Sequence, residues 1–421
     1  MSEENLTGSW RDKASALDRY RWLLLRERHG VLSSALRFMR DAMNDWLFGV
    51  RARRSVADVV VIECCDFLLL QSAPKVIKFQ RKRLFIERLR ARGHSLIETA
   101  IEERDAIVRQ RQLRKPPEAV PTRYFGYAAY AEWVVEKFQP SILLNDRNGS
   151  LYSPFLRLAL NRRSRLLVQL AHATTVESSP RLSMNDYDYY FIFGQSSLDA
   201  LRARPLRFGG SRAVLAGSHM IDMAYDLPPA EPVQGAVLIL GVGPDKEKEA
   251  GYNNTYSMLR DWVQQNPERK VLIKAHPRSQ VPFWQRAAGT LPNLTVLPAC
   301  CTLSDALAQA NVVINVMSNA VIEAALACRP VLFVNLSKDA DIFRQEKFFG
   351  SRIRSPDALA SEFLRVLRDY PQCLEASARF ANFHLEQGVR GLERNLELLE
   401  CLLQREPIPY FSLAGHAPCQ A

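Results

Sequence analysis

The sequence predicts an α/β protein with two doubly wound, Rossmann-like domains that face a central cleft, and with extra N-terminal and C-terminal helices. Three observations support this fold class. Short apolar runs alternate with helical segments, which indicates parallel sheets with right-handed crossovers. A segment with three prolines and no periodicity, 226–235, is predicted to be the interdomain linker. The chain has 421 residues, too many for one ordinary core.

Composition narrows the class of protein. Hydrophobic residues make up 47% of the chain and charged residues 24%, which is typical of globular proteins. No apolar run approaches the ~18 residues that a membrane-spanning helix needs, and the N-terminus lacks the order of a secretory signal. The eight cysteines contain no C-x-x-C pair, so neither a zinc site nor a redox motif is indicated. We therefore expect a cytoplasmic protein.

Positive charge is concentrated in residues 1–115, predicted to be a basic N-terminal region that includes the first βα elements. This region has 24 Lys/Arg against 15 Asp/Glu, in a chain of net charge +11. Its segment Lys75–Arg92 has eight basic residues and one acid, and is predicted to be a helix with Phe85 and Leu89 facing inward. We expect a peripheral contact with anionic lipid at the inner face of the cell membrane, with a solvated helix face as the alternative. No nucleic-acid partner is expected.

The remainder of the N-terminal domain is assigned to residues 116–225. Upstream of it, ADVVVIECC (57–65) is predicted to be a buried strand, and 94–102 is ambiguous between strand and helix. A helix is expected in YAAYAEWVVEKFQ, ending before Pro140. Strands follow at 141–145, 165–172, 187–194 and 213–217.

A second domain is assigned to residues 236–355, followed by C-terminal helices at 356–421. Its strands are predicted at 235–243, 270–277, 294–298, 311–318 and 329–335. A Gly/Asn-rich loop from Gly241 to Ser257 is expected after the first of these strands. The loop contains neither a Walker motif nor G-x-G-x-x-G, which argues against ATP-hydrolase and NAD functions. Its candidate ligand-binding residues are Gly243, Asn253, Asn254 and Thr255.

Ligands of doubly wound sheets bind beyond the carboxyl ends of the strands, so residues directly after strands are the candidates. Pro277 favours an extended exit for His276 at a strand end. The imidazole there can bind a phosphate, assisted by Lys274 or Arg278. The alternative for His276 is a structural histidine that closes the strand end.

The next βα unit supplies a second candidate phosphate site. Ser318 is predicted to be the N-cap of the helix that follows a strand, with Asn319 beside it. Free N–H groups and the helix dipole at such an end attract anions. Glu323 is placed to accept hydrogen bonds from ribose or sugar hydroxyls. The alternatives are plain capping for Ser318 and a solvated first-turn acid for Glu323.

Transfer of a group to a hydroxyl needs a base that removes its proton. In the first half, Asp146 follows a strand, His172 lies at the end of the next, and Glu177 comes shortly after it. These are the candidate catalytic residues. The alternatives are a structural loop role for His172 and a turn-stabilising role for Asp146.

Taken together, K-A-H-P (274–277), S-N-x-x-x-E-A (318–324) and R-P-V-L-F-V (329–334) resemble the donor-binding half of GT-B glycosyltransferases. The pattern is most similar to the capsule and teichoic-acid branch: polysialyltransferases, capsule Kdo transferases and CDP-glycerol glycerophosphotransferases. The first-half order D-R, Q-x-x-H and D-Y-Y-F-I-F-G is similar to the acceptor half, although the branch often has Q-H-G where this chain has Gln169-Leu-Ala-His172-Ala173. The resemblance covers residues 140–350.

The resemblance implies a transferase that needs neither a metal nor a cofactor. His276 and Ser318 would contact the phosphates of a nucleotide donor, with CMP- or CDP-linked donors favoured and UDP-linked donors as the alternative. The acceptor would be a hydroxyl of a cell-surface glycan or a lipid-linked glycan. Two other functions stay open: a UDP-sugar 2-epimerase of the same fold, and a non-catalytic polysaccharide-assembly protein.

Overall fold

The structure, a computed structural model, describes residues 9–78, 80, 82–176, 179–280 and 282–414. The chain forms two compact units. The first contains the chain up to Met220 and from Leu392 onward, and the second contains Ile221–Gly391.

These boundaries differ from the predicted ones at two places. The predicted linker 226–235 belongs to the second unit, because Arg329 donates to the Pro228 carbonyl (2.8 Å) and Asn311 donates to the Pro232 carbonyl (2.7 Å). The predicted C-terminal segment 356–421 is divided at Gly391, since its last part supplies core residues to the first unit. The predicted cleft between the domains stays a prediction.

The first unit has a parallel sheet whose outermost strand runs in the opposite direction. The strand order is β12-β6-β5-β4-β3-β1-β2, and β12 pairs antiparallel with β6. Its strands are β1 (Phe67–Gln71), β2 (Leu96–Ala100), β3 (Ile142–Asn145), β4 (Leu166–Leu170), β5 (Met184–Ile192), β6 (Phe208–Leu215) and β12 (Phe411–Ala414). Its helices are α1 (Trp10–Arg28), α2 (Val31–Arg53), α3 (Pro74–Ile77), α4 (Arg83–Ala91), α5 (Arg104–Arg109), α6 (Thr122–Phe138), α7 (Ser153–Asn161), α8 (Gln195–Ala203) and α16 (Gly391–Leu403).

Both faces of the first sheet are buried, as expected for a parallel sheet. On one face, alternate strand residues such as Leu69 and Leu144 pack with Phe85 of α4 and Leu396 of α16. On the other face, Leu68 and its neighbours are equally inaccessible to solvent. The inward positions predicted for Phe85 and Leu89 are confirmed.

The second unit has a fully parallel five-stranded sheet with the order β11-β10-β7-β8-β9. Its strands are β7 (Ala236–Leu240), β8 (Val271–Lys274), β9 (Leu294–Val296), β10 (Ala310–Asn315) and β11 (Val331–Phe333). Its helices are α9 (Ala250–Gln265), α10 (Pro282–Ala288), α11 (Leu303–Ala308), α12 (Val321–Leu326), α13 (Gln345–Phe349), α14 (Pro356–Arg368) and α15 (Tyr370–His384). The predicted fold class of two doubly wound α/β domains is confirmed.

Three predicted elements are wrong, and the structure decides a fourth, ambiguous one. Residues 57–65 do not form a buried strand: Val59 is 82% exposed, and the first strand of the sheet is Phe67–Gln71. The basic segment Lys75–Arg92 is not one helix but contains α3 and α4. The ambiguous segment 94–102 is a strand, β2. The predicted loop 241–257 ends early, because α9 already begins at Ala250.

Among the described residues, none of the helices has both the length and the apolar character that crossing a membrane requires.

Candidate functional site

Each sheet has one place where the direction of chain progression reverses, and ligands of doubly wound sheets bind outside the carboxyl ends at such a place. In the second unit the chain runs from β7 through β8 to β9 and then returns to β10 on the other side of β7. In the first unit β2 and β3 lie on opposite sides of β1. The two reversals define one crevice in each unit.

The second-unit crevice is centred on the end of β7. Leu240 pairs with Lys274 of β8 on one side and with Asn315 of β10 on the other. Since neighbouring strands are about 4.8 Å apart, the ends of β8 and β10 are separated by about 10 Å across β7. His276 follows β8 by two residues and Ser318 follows β10 by three. The structure therefore places both predicted phosphate ligands at the same edge of the sheet.

His276 and Arg278 lie against the glycine segment that follows β7. A Cβ atom placed on Gly243 would be 4.0 Å from His276 Nε2 and 3.9 Å from an Arg278 guanidinium nitrogen. The Arg278 backbone N–H donates to His276 Nδ1 at 3.2 Å. Because Nδ1 accepts that bond, Nε2 carries the ring proton and is the donor on the Gly243 side. The crevice thus combines an imidazole donor, a guanidinium group and an accessible glycine backbone.

Lys274 is oriented differently. Its Nζ donates to the Cys301 carbonyl at 2.5 Å, in the segment between β9 and α11. Because β9 lies on the side of β8 away from β7, this hydrogen bond directs the ammonium group toward the opposite side of β8. A phosphate contact for Lys274 stays a prediction that would require this bond to break.

Ser318 is not the N-cap of α12, contrary to prediction. The helix has Ala320 at that position and extends only over Val321–Leu326. Ser318 instead lies in a turn held by Asn315, whose Oδ1 accepts from the Ser318 N–H at 2.9 Å. The Ser318 hydroxyl accepts from the Ala320 N–H at 3.4 Å. Ser318 is half-buried and Asn319 is exposed, so both side chains reach the crevice surface.

Glu323 lies in the first turn of α12, and burial raises its pKa to about 7. A carboxyl group with this pKa changes charge near neutral pH. Burial and then the charge of Glu323 raise the pKa of the nearby Tyr225. Glu323 is therefore held in a poorly solvated position, unlike the solvated first-turn acid that was its alternative.

The predicted loop residues Asn253, Asn254 and Thr255 lie within α9. Thr255 is fully buried, and its hydroxyl donates to the Gly251 carbonyl and accepts from the Leu336 N–H. Its polar atoms thus stabilise the packing of the helix, which does not fit the predicted role in ligand binding. Asn254 is exposed on the same helix.

The first-unit crevice contains a cavity of about 640 Å³. Its lining includes Asp146 and His172, together with Gln71, Lys82 and Arg147. A second cavity of about 870 Å³ shares Arg147 with it. The structure therefore brings together two of the three predicted catalytic residues. The third, Glu177, lies outside the described residues.

A buried ion pair forms the base of this cavity. Lys82 Nζ lies 2.5 Å from Asp146 Oδ2 and also donates to Gln71 Oε1 at 3.1 Å. Lys82 is 5% exposed and Asp146 8%. The other carboxylate oxygen, Asp146 Oδ1, has no hydrogen-bond partner among the described atoms. A buried carboxylate oxygen without a donor is costly, which makes it a good acceptor for a substrate hydroxyl.

Side-chain amides connect the bottom of the cavity to the adjacent strands. Asn145 donates to Gln169 at 2.7 Å, and Gln169 donates to Asn148 at 3.1 Å. His172 is exposed at the rim of the cavity, whereas His219 is buried below it. Burial, with the charges of Lys82 and His172, lowers the pKa of His219 to about 3, so it is neutral at physiological pH.

Sequence reasoning missed Lys82 and Asn315. Lys82 was included in a basic surface helix, because the strand that precedes it was placed at 57–65 rather than 67–71. With the correct strand, Lys82 falls in the segment after β1, at the ligand-binding edge. Asn315 was interpreted as part of an apolar strand. However, an asparagine as the last residue of a buried strand indicates a polar side chain at the ligand-binding edge.

Comparisons with solved structures address the fold as a whole. A Listeria monocytogenes protein assigned as a UDP-N-acetylglucosamine 2-epimerase superposes with a TM-score of 0.52 at 13% identity, covering 82% of this chain and 98% of that one. The glycosyltransferase of kitacinnamycin has a TM-score of 0.50 at 13% identity and coverages of 82% and 100%. S. aureus MnaA, solved with UDP, has a TM-score of 0.51 at 11% identity and coverages of 81% and 99%. The protein has the GT-B fold.

This likeness concerns the fold alone, because the identities are low. No protein-family model matches the sequence, and no curated relative matches it either. The GT-B fold accounts for the presence of two doubly wound units with a crevice at the carboxyl edge of each sheet. The identity of the reaction must come from the residues in those crevices.

Proposed function

We propose that the protein is a GT-B glycosyltransferase that uses a nucleotide-activated donor. The observation that carries the proposal is the convergence of His276, Arg278 and Gly243 at the β7 end, with Ser318 at the adjacent β10 end. An imidazole donor and a guanidinium group, beside the half-buried backbone of Gly243, suit the phosphates of a nucleotide. The same groups would stabilise the negative charge that develops on the leaving phosphate.

The first-unit crevice is proposed to bind the acceptor. Its cavity is large enough for a sugar unit, and the adjoining cavity lengthens it. In the proposed step, an acceptor hydroxyl oxygen attacks the donor's anomeric carbon while the bond to the nucleotide phosphate breaks. Asp146 Oδ1 takes the hydroxyl proton, Lys82 fixes the other oxygen, and His172 contacts the acceptor at the rim.

The finer assignments follow from the resemblance to the capsule and teichoic-acid branch. We propose a CMP- or CDP-linked donor and a glycan or lipid-linked glycan of the cell surface as the acceptor. We also propose that no metal or other cofactor takes part, and that the reaction takes place in the cytoplasm. UDP-linked donors are the alternative, since one solved structure of this fold, S. aureus MnaA, contains UDP.

A 2-epimerase is the second candidate, favoured by the structural likeness to the Listeria monocytogenes protein. The two candidates differ in their need for an acceptor. Incubating the purified protein with UDP-N-acetylglucosamine alone distinguishes them, because an epimerase converts this sugar without any second substrate. A transferase leaves the sugar configuration unchanged until an acceptor is added.

The donor site is tested by thermal unfolding with CMP, CDP, UDP, GDP and ADP. We expect at least one nucleotide to raise the melting temperature of the wild type, because a ligand that binds only the native state stabilises it. His276→Ala and Ser318→Ala should each reduce the shift, whereas Gln264→Ala, an exposed change near the end of α9, should not. A shift that persists in both site variants would contradict the assigned site, and the lack of any shift would contradict the donor class.

A further inference from the structure

The outward face of helix α2 is apolar. Six large side chains recur along it at intervals of one to four residues, and each is 47–76% exposed. We call this set the outer stripe of α2: Leu32, Leu36, Met39, Met43, Trp46 and Leu47. At 3.6 residues per turn these positions form one continuous band about 23 Å long. Contiguous exposed apolar surface of this kind marks an interaction site.

The stripe is not the surface by which α2 joins its own unit. The buried residues of α2 are Ser34, Asp45, Phe48, Gly49 and Ala52. Asp45 pairs with Arg21 at 2.6 Å and accepts from Tyr127 at 2.8 Å, and Phe48 packs edge-on against Tyr127. The inner face therefore uses small, aromatic and ion-paired residues, while the most hydrophobic residues of the helix face outward. This is the reverse of an ordinary surface helix.

Arginines flank the outer stripe. Arg37, Arg40, Arg51 and Arg53 are all exposed on α2. Two acids partly balance them: Asp41 contacts Arg40 at 3.4 Å, and Asp105 pairs with Arg51 at 2.8 Å. The flanks remain net positive in a chain of net charge +11. A second copy of this chain would bring the same positive flanks together, so the charges favour an anionic partner.

The basic segment predicted to contact lipid, Lys75–Arg92, is less suited to the task. Lys82 is buried in the ion pair with Asp146, Arg83 pairs with Glu87 at 2.7 Å, and Arg92 contacts both Glu393 and Glu400 at 2.6 Å. Three of its eight basic residues are thus paired with acids, and none of its described residues is an exposed large apolar side chain.

We infer that α2 docks the protein on an anionic phospholipid bilayer, with the outer stripe inserted at the headgroup boundary and the arginines contacting lipid phosphates. Helices that lie in a membrane interface have apolar residues such as Leu, Met and Trp on one face and basic residues such as arginine at the borders of that face. Each arginine near an anionic surface strengthens binding about fivefold, at about 1 kcal/mol. This inference does not depend on the chemistry proposed above, and it is tested without any activity measurement.

The test is co-sedimentation with vesicles of phosphatidylcholine containing phosphatidylglycerol, against vesicles of phosphatidylcholine alone. The full-length protein should bind the anionic vesicles and bind the neutral ones less. Met39→Glu/Met43→Glu should weaken binding about tenfold or more, because it places charge in the inserted band. Ala360→Glu/Ser361→Glu, which adds the same charge at exposed positions of α14, should stay within about twofold of wild type.

A spectroscopic readout locates the contact. Anionic vesicles should shift the tryptophan emission of the wild type to shorter wavelength, and Trp46→Phe should remove that shift while retaining most of the binding. Equal binding by the Met39→Glu/Met43→Glu variant, or a shift that survives in Trp46→Phe, would overturn the inference. A wild-type dimer that this double variant converts to a monomer, without vesicle binding, would instead assign the stripe to a second copy.

Discussion

The pKa of Glu323 bears on whether this residue binds a ligand or only supports the fold. Burial raises its pKa to about 7, above its ordinary value of 4.5. Between these values the folded state holds a proton that the unfolded state releases, so Glu323 lowers stability as pH rises from about 4.5 to 7. A residue that reduces the stability of its own fold at physiological pH is a candidate for function.

We expect Glu323→Gln to increase the free energy of unfolding by up to about 3 kcal/mol at pH 8 and to change it little near pH 4.5. The same variant should bind nucleotide about tenfold more weakly, because the amide replaces a carboxylate acceptor for ribose hydroxyls. Urea unfolding and nucleotide titration measure the two effects. Glu375→Gln, an exposed change on α15, is the control and should alter neither. Greater stability with unchanged nucleotide affinity would assign Glu323 a purely structural role.

The Asp146 carboxylate makes the second prediction at this scale. Asp146→Asn should lower kcat by about 10²–10⁴, the usual contribution of a general base, and leave donor binding unchanged. The amide oxygen can still accept from Lys82, so the fold should persist. His172→Asn at the exposed rim should mainly affect acceptor KM. The opposite result, a large loss of kcat only in His172→Asn, would move the proton acceptor to His172.

Single residues were predictable from the sequence where a strand end was recognised. His276, Asp146 and Ser318 all reach the carboxyl edge of a sheet because the apolar runs before them are strands. Thr255 was misplaced because its Gly/Asn-rich surroundings resemble a loop, whereas buried Tyr252, Tyr256 and Leu259 recur at helical spacing and begin α9 early. At this position the local composition favours a loop and long-range packing favours a helix. The packing determines the structure.

At the scale of elements, α2 and α6 approach closely through glycines. A Cβ atom on Gly49 would lie 1.7 Å from the Thr122 carbonyl oxygen, and one on Gly126 would lie 2.3 Å from the Phe48 ring. Neither position has room for a methyl group, so the two helices can pack as they do only with glycine at both sites.

We therefore expect Gly49→Ala to lower the free energy of unfolding by about 3 kcal/mol, because the helices must separate to admit the methyl group. Gly30→Ala, before the same helix, meets no atom within 4 Å and should cost less than about 1 kcal/mol. Chemical denaturation of both variants measures the difference. Equal stability of the two variants would show that α2 can shift without loss, and would contradict a tight α2–α6 contact.

Elements were predicted best where a strand is buried between helices, and worst at the start of the first sheet. Residues 57–65 and 67–71 are both apolar, and only the second run pairs with β2 and β3. The sequence has no local signal that leaves Val59, Val61 and Ile62 exposed. The choice between the runs depends on which one fits the sheet, which is a long-range property.

At the scale of the whole molecule, both units place their candidate residues by the same rule, although their sheets have different strand orders. The first follows the order of flavodoxin-like sheets and the second that of nucleotide-binding Rossmann sheets, and in each the candidate residues lie where the strand order reverses. Sequence alternation predicts parallel strands but not their order. The location of both crevices therefore became clear only from the structure.

After the second unit, the chain returns to the first unit through α16 and β12. We predict that this C-terminal segment is needed for the first unit to fold. Five leucines of α16, together with Ile408, belong to the core on one face of the first sheet: Leu392, Leu396, Leu398, Leu399 and Leu402. Asn395 also donates to the Ala216 carbonyl at 2.8 Å. Burying each leucine contributes about 2 kcal/mol, so their sum is similar to the whole stability of a typical domain.

A chain truncated after Gly391 should therefore lose the folded first unit and keep the second. Limited proteolysis with mass spectrometry should show cleavage throughout the chain before Met220 and protection of Ile221–Gly391. Truncation after Ala414 is the matched control and should unfold at the same temperature as the full chain, because it leaves α16 and β12 in place. Protection of the first unit in the shorter chain would mean that its sheet is stable without α16, and that the C-terminal segment covers the first unit without being needed to hold it together.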